Sequence, residues 1–292
     1  MGDITTLLIS CFTWLTLYFT LCLVNPRRSY EWHIRTVTTI HAITVILLGL
    51  YSVFVLGPWP FDLMGGKSSD FQTFVITVSL GYFLLDLSWC LYFRTEGPVM
   101  MLHHTLSIVG LSICFGIEMY GIEMVTTITG AEITNPLLQL RWFLKETKQY
   151  DTKLGDIVDV AFMVIFGVFR IVLGTMLLIS CYMQDNTDWL TRFGGTCIYS
   201  IGWLFWISIV QYGFKRYRRR YGSKSSKSTT NGHLKSNSEA NGVTGSEKDP
   251  GSEKIFCSEQ GNGSLNGEIN GNLTKRHVAN GVKESASSTD LL

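Results

Sequence analysis

Charge is the scarcest property of this chain. Of 292 residues, 16% are charged and 46% are hydrophobic. The few charges cluster in short turns and a polar tail, which excludes an ordinary soluble domain for residues 1–221. Net charge is +1, a balance that gives no sign of a nucleic-acid partner. The seven cysteines form no C-x-x-C, and most sit inside apolar runs, so they read as small buried hydrophobes. Cys22, near the end of the first run, is a candidate for palmitoylation. No basic stretch precedes residues 4–24, and Asn25-Pro26-Arg27-Arg28 follows them in place of a small-residue cleavage site. That segment therefore reads as a retained span and not a signal peptide. No H-x-x-x-H occurs, and adjacent histidines diverge on a helix, so no metal site is expected.

Long apolar runs are abundant instead. A helix needs about 20 apolar residues to cross a hydrocarbon core about 30 Å thick. Seven such spans fit, at about 4–24, 35–57, 71–93, 98–118, 122–143, 157–182 and 190–214. The fold class is therefore all-α, a polytopic transmembrane helix bundle. Three regions follow: a first span with a basic loop at 1–29, the main membrane domain at 30–221, and a tail at 222–292. The tail repeats Asn-Gly among Ser, Lys and Glu and is expected to be disordered.

The basic residues orient this arrangement. One set of connections carries Arg27, Arg28 and Arg35, then Arg94, then Arg141 to Lys153, then the cluster Lys215, Arg216, Arg218, Arg219 and Arg220. The alternate set carries only Lys67 and Arg192. Positive residues collect on the cytosolic side, so the C-terminus is expected in the cytosol and the N-terminus in the lumen or outside. Deleting the polar fifth span would spoil the alternation. The terminal basic cluster also suits contact with anionic lipids, at about 1 kcal/mol per residue near the surface.

Polar groups inside such spans are costly and mark function or tight pairing. Asp86 lies in the third span, at helical spacing from Tyr82 and Cys90. His103 shares a face with Ser107, Gly110 and Cys114, whereas His104 is turned about 100° away. His103 is therefore the better candidate for a polar interior, with His104 between helices. His41 lies in the second span. In the fifth, Thr129, Glu132, Asn135 and Gln139 form a stripe, interrupted by Pro136, which cannot donate to the Glu132 carbonyl. Asp159 and Arg170 share a face of the sixth span, and an ion pair between Glu132 and Arg170 is expected near mid-membrane. Together these groups suggest one cavity in the cytosolic half.

The pattern Arg35-x5-His41, Gly81-Tyr82-x3-Asp86, His103-His104 and Glu132-x2-Asn135-Pro136 with Arg141-Trp142-Phe143 resembles the TLC domain family over about residues 30–215. That family includes the ceramide synthases and translocon-associated proteins. The resemblance implies a seat in the endoplasmic reticulum or another secretory-pathway membrane. In ceramide synthases the paired histidines lie in the site that moves an acyl group from acyl-coenzyme A to a sphingoid amine. Carried over, they fall on His103 and His104. The synthases' acidic segment is replaced here by Gly130-Ala131-Glu132-Ile133-Thr134-Asn135.

The leading expectation is a protein that binds membrane lipids or acyl chains and acts in lipid homeostasis, without a resident cofactor. The alternative is an acyltransferase with acyl-coenzyme A as co-substrate, His103 as base or acyl acceptor, and Asp86 or Glu132 as its partner. A membrane-trafficking factor is a third. The catalytic candidates are His103, His104 and Asp86. The binding candidates are His41, Glu132, Asn135, Gln139 and Arg170.

Overall fold

The computed structural model describes residues 3–222. The Asn-Gly-rich tail and its sequons lie outside them. Among the described residues the secondary structure is helical, with no strands and one isolated antiparallel bridge between Lys67 and Met119 in the connections. Six helices are long and apolar enough to cross a membrane: Ile4–Val24, Tyr30–Leu56, Asp70–Phe93, Pro98–Ile117, Lys153–Met183 and Trp189–Arg220.

Local chemistry sets their ends. Helix α1 (Ile4–Val24) starts where the Asp3 carboxylate accepts from Thr5 N–H. Helix α2 (Tyr30–Tyr51) starts where the Ser29 hydroxyl accepts from Trp32 N–H. That cap draws the helix start to Tyr30, several residues ahead of the expected span. Helix α3 (Asp70–Phe93) carries a capping box between Ser69 and Gln72. It ends at Arg94 in the left-handed region, and α4 (Pro98–Ile117) starts with Pro98 in its first turn. That short reversal brings Asp86 and the histidines to one side of the bundle.

The fifth span differs from its expected form. It is two helices of 12 residues, α5 (Gly121–Glu132) and α6 (Asn135–Glu146). Each is about 18 Å long at 1.5 Å per residue, too short to cross alone. End to end they run antiparallel to α2. A Cβ on Gly49 would collide with the Thr129 side chain, His41 faces Glu132, and Arg35 reaches Gln139. Among the described residues six helices qualify as spans, and the expected fifth span is instead this broken pair.

The next long helix comprises α7 (Lys153–Phe166), a π-helical stretch Gly167–Val172, and α8 (Leu173–Met183). Helix α9 (Trp189–Tyr217) closes the bundle. One apolar core joins α1 to α5, with Val37, Val45, Val75, Ile76 and Tyr82 almost fully buried. A second lies between α7 and α9, around Phe162, Phe166, Phe205 and Ile209. Large apolar side chains such as Leu8, Phe12, Leu47, Leu91, Val164 and Phe193 point outward. Long apolar helices with apolar outer faces are what a bilayer requires, and the chain is an integral, multi-pass membrane protein.

An ion network fixes the end of the bundle where α6, α7 and α9 meet. Asp159 accepts from Arg141 Nε at 2.7 Å and from Arg216 Nη1 at 2.5 Å. Arg216 also reaches Asp156 at 3.2 Å and the Tyr150 carbonyl at 2.9 Å. Asp159 thus pairs with Arg141 and Arg216. One expectation changes here. Arg216 is buried in this network and is not free for anionic lipids, whereas Lys215, Arg218 and Arg219 are exposed.

Asp159→Ala leaves Arg141 without its carboxylate and Arg216 with only Asp156. Breaking a buried ion network from one side costs about 3–5 kcal/mol. A clear fall in the thermal unfolding midpoint of nanodisc-embedded protein is expected, and an unchanged midpoint refutes a stabilising role.

Candidate functional site

Two cavities lie between the apolar cores. The smaller is a polar chamber of about 130 Å³ between α2, α3, α4 and α6, with walls that include Arg35, Asp86, Glu96, His104, Asn135 and Gln139. The larger, of about 350 Å³, is mostly apolar and lies between α4, α5, α8 and α9. Its walls include Leu106, Gly110, Leu173, Leu177, Ile198 and Gly202. Phe83, His103, Glu132 and Arg170 border both.

The break between α5 and α6 builds the common wall. With no N–H on Pro136 the helical ladder stops, and Thr134 Oγ1 donates back to the Ala131 carbonyl at 2.9 Å. Arg170 Nη2 reaches the same carbonyl at 3.3 Å. The sequence places the freed acceptor at Glu132, but the carbonyl that gains side-chain donors is Ala131's. From the break a polar chain runs toward the basic end. Asn135 Nδ2 donates to Glu132 Oε2 at 2.9 Å, and Gln139 Nε2 donates to Asn135 Oδ1 at 2.9 Å. Arg35 Nη1 then reaches Gln139 Oε1 at 3.4 Å. Arg35 is also held by Glu31 at 3.1 Å and Glu96 at 3.6 Å. Burial is the largest influence on the Glu96 carboxyl, in the turn between α3 and α4, and raises its pKa while Arg35 opposes that shift.

The histidines His41, His103 and His104 have different surroundings. His103 borders both cavities, packs edge-on against Phe205 at 5.6 Å, and has a buried Nδ1 without a hydrogen-bond partner. His104 lies between α3 and α4, with Nδ1 3.5 Å from Asp86 Oδ2. Asp86 thus faces His104 and not His103, because the α3–α4 reversal presents the outer face of α4 to α3. His41, expected at the binding surface, borders neither cavity. Its ring stacks on Tyr82 at 3.8 Å, and its Nδ1 lies 3.9 Å from Glu132 Oε2. Tyr82 is itself held by Thr38, at 2.8 Å.

No contact-distance ion pair joins Glu132 to Arg170. Arg170 sits in the π-helical stretch Gly167–Val172, and its buried Nε has no hydrogen-bond partner. It holds a positive charge beside the junction of the cavities. Asn135 and Gln139 line the polar chamber as well. Sequence reasoning passed over Glu96 and Cys90, which also border it. Cys90 was visible as the residue one turn from Asp86. Glu96 was visible only as an acid in a turn of a chain poor in charge.

In chemical terms the junction offers an imidazole, a carboxyl group and a guanidinium at the end of an apolar chamber. The family model described as the TLC domain matches residues 31–213. A Dictyostelium discoideum protein, TLC domain-containing protein 4 A, is 25% identical over 202 residues, which cover 65% of this chain and 76% of that relative.

Asn135→Ala removes the link between Glu132 and Gln139. Leaving buried polar groups unpaired costs about 1–3 kcal/mol. A measurable drop in thermal stability is therefore expected, and Asn135→Asp and Asn135→Leu should not restore it, since neither an ionised aspartate nor a leucine can donate to the Glu132 carboxylate. Wild-type stability in all three variants contradicts the relay.

Proposed function

Because this chain belongs to the TLC domain family, we propose that it holds a lipid or fatty acyl chain within the membrane and acts in membrane lipid homeostasis. The carrying observation is the apolar cavity of about 350 Å³ ending on His103, Glu132 and Arg170. Its volume falls in the range of small-molecule sites, about 300–1,000 Å³. An apolar chain in the cavity keeps its methylenes out of water, and its polar end meets donors and acceptors at the junction. The charge distribution supports a cytosolic face at the end that carries Arg35, Arg141 and Arg216, and the family supports the endoplasmic reticulum as the compartment. Exposed Lys215, Arg218 and Arg219 suit anionic headgroups on that face.

A second reading is acyl transfer from acyl-coenzyme A. It is favoured by the unpartnered Nδ1 of His103 at the meeting of the two cavities. A thioester carried on a chain in the apolar cavity would bring its carbonyl to that imidazole. There His103 would serve as base or acyl acceptor. Purified protein with labelled acyl-coenzyme A and a panel of amines and lysolipids separates the readings. Turnover lost in a folded His103→Ala variant establishes catalysis, while no turnover beside co-purified lipid rejects it.

Gly202 tests the binding reading directly, because a Cβ there would meet no atom within 4 Å. Gly202→Phe should project a ring from that open position into the cavity. Roughly tenfold less co-purified lipid is expected, equivalent to about 1.4 kcal/mol of lost binding. Unchanged lipid by mass spectrometry sinks the cavity as the binding place. For orientation, a sequon introduced into the 57–69 loop should be glycosylated in cells, and its absence from the glycosylated fraction reverses the assigned sidedness.

A further inference from the structure

We propose that Asp86, Cys90 and His104 form a binding site for a single zinc ion at the wall of the polar chamber. Asp86 and Cys90 are one helical turn apart on α3 and share a face. His104 meets them from α4. One donor atom from each residue lies within 4.8 Å of the other two.

The Asp86–His104 spacing carries the case. Their nearest donor atoms are 3.5 Å apart, and the buried His104 Nδ1 has no hydrogen-bond partner. A direct hydrogen bond would be shorter, at about 2.7–2.9 Å for a charged pair. Two ligands on one tetrahedral zinc, at bond lengths of about 2.0–2.2 Å, stand roughly 3.3–3.6 Å apart. Cys90 Sγ lies within 4.8 Å of both other donors, close enough to join them around one ion. Cys90 is 4% exposed and His104 7%, so the set is shielded, while all three residues border the chamber.

The donor chemistry selects the ion. Calcium and magnesium take oxygen ligands, which a thiolate and an imidazole do not supply. Sulfur, nitrogen and one carboxylate suit zinc. The carboxylate and the thiolate balance its charge, and the thiol proton leaves to solvent on binding. Arg35 is the nearest opposing cation, and Glu31 and Glu96 hold its guanidinium at 3.1 and 3.6 Å. Three protein ligands leave the fourth position facing the chamber, open to water or a lipid oxygen. This inference does not depend on whether a lipid occupies the apolar cavity.

The test uses the full chain in detergent, stripped with chelator, loaded with zinc chloride and desalted. Elemental analysis should find one zinc per chain. Cobalt chloride should give a thiolate-to-cobalt charge-transfer band. Cys90→Ser should abolish that band, and Asp86→Asn and His104→Gln should each weaken zinc binding by more than the roughly 10–100-fold that loss of a supporting outer-shell group costs. Cys197→Ser should bind as wild type. In unmutated protein, added zinc should displace cobalt and remove the charge-transfer band, a measurement that needs no variant to fold. Less than half an equivalent of zinc in wild type, zinc retained after all three substitutions, or a cobalt band that zinc does not displace overturns the site.

Discussion

A missing N–H organises this bundle. Pro136 cannot continue the helical ladder, and in a membrane every backbone polar group must find a partner inside the protein. The fifth traverse therefore splits into α5 and α6. Thr134 and Arg170 supply donors to the Ala131 carbonyl at the break. Those two contacts set the height at which Glu132 and Asn135 project and hold Arg170 beside them. Without the break, Glu132 would continue a regular helix and the polar stripe would lie flat against α2.

The polar groups then divide by how fully they are satisfied. Asp159, Arg141, Arg216 and Tyr150 satisfy one another and tie down one end of the bundle. The chain from Arg35 through Gln139 and Asn135 to Glu132 is nearly as complete. Deeper in, satisfaction lapses: His103 Nδ1, His104 Nδ1 and Arg170 Nε are buried without hydrogen-bond partners. Buried groups of this kind ordinarily cost about 1–3 kcal/mol each. These three border the cavities, where a ligand could meet their demand, whereas His41, equally without hydrogen-bond partners, borders neither. The first kind of network explains why the bundle holds together, and the second identifies where it has something left to bind.

Much of this was legible in the sequence. Hydropathy located the long helices because bilayer thickness sets their length, and Pro136 located the break because its chemistry is local. The 100° step per residue separated His103 from His104, and the structure places them in different surroundings. What failed depended on tertiary register. The partner of Asp86 is decided by how α4 rotates against α3, which adjacency in sequence does not specify. Glu132 and Arg170, expected to pair, form no contact-distance ion pair, and Arg170 reaches the Ala131 carbonyl instead. Arg216 looked like part of a surface charge cluster because nothing in KRYRRRY marks the one arginine that turns inward.

Glycine carries the sharpest ambiguity. At Gly81 an added Cβ would fall 2.3 Å from Ser10 Oγ, so that glycine exists to let α1 and α3 touch. At Gly202 the same atom would meet nothing within 4 Å, so that glycine exists to leave room. Both lie in apolar helices and both read as small-residue packing sites. The difference sets the character of each half of the molecule. Close approach between α1 and α3 packs that side of the bundle tightly, and His41 is fully buried within it. The absent side chains of α9 and α4 keep a chamber open beside it. A rigid wall bearing the polar groups and a roomy wall lined with apolar ones is the division expected of a site that must orient one end of a chain while tolerating variation in the rest of it.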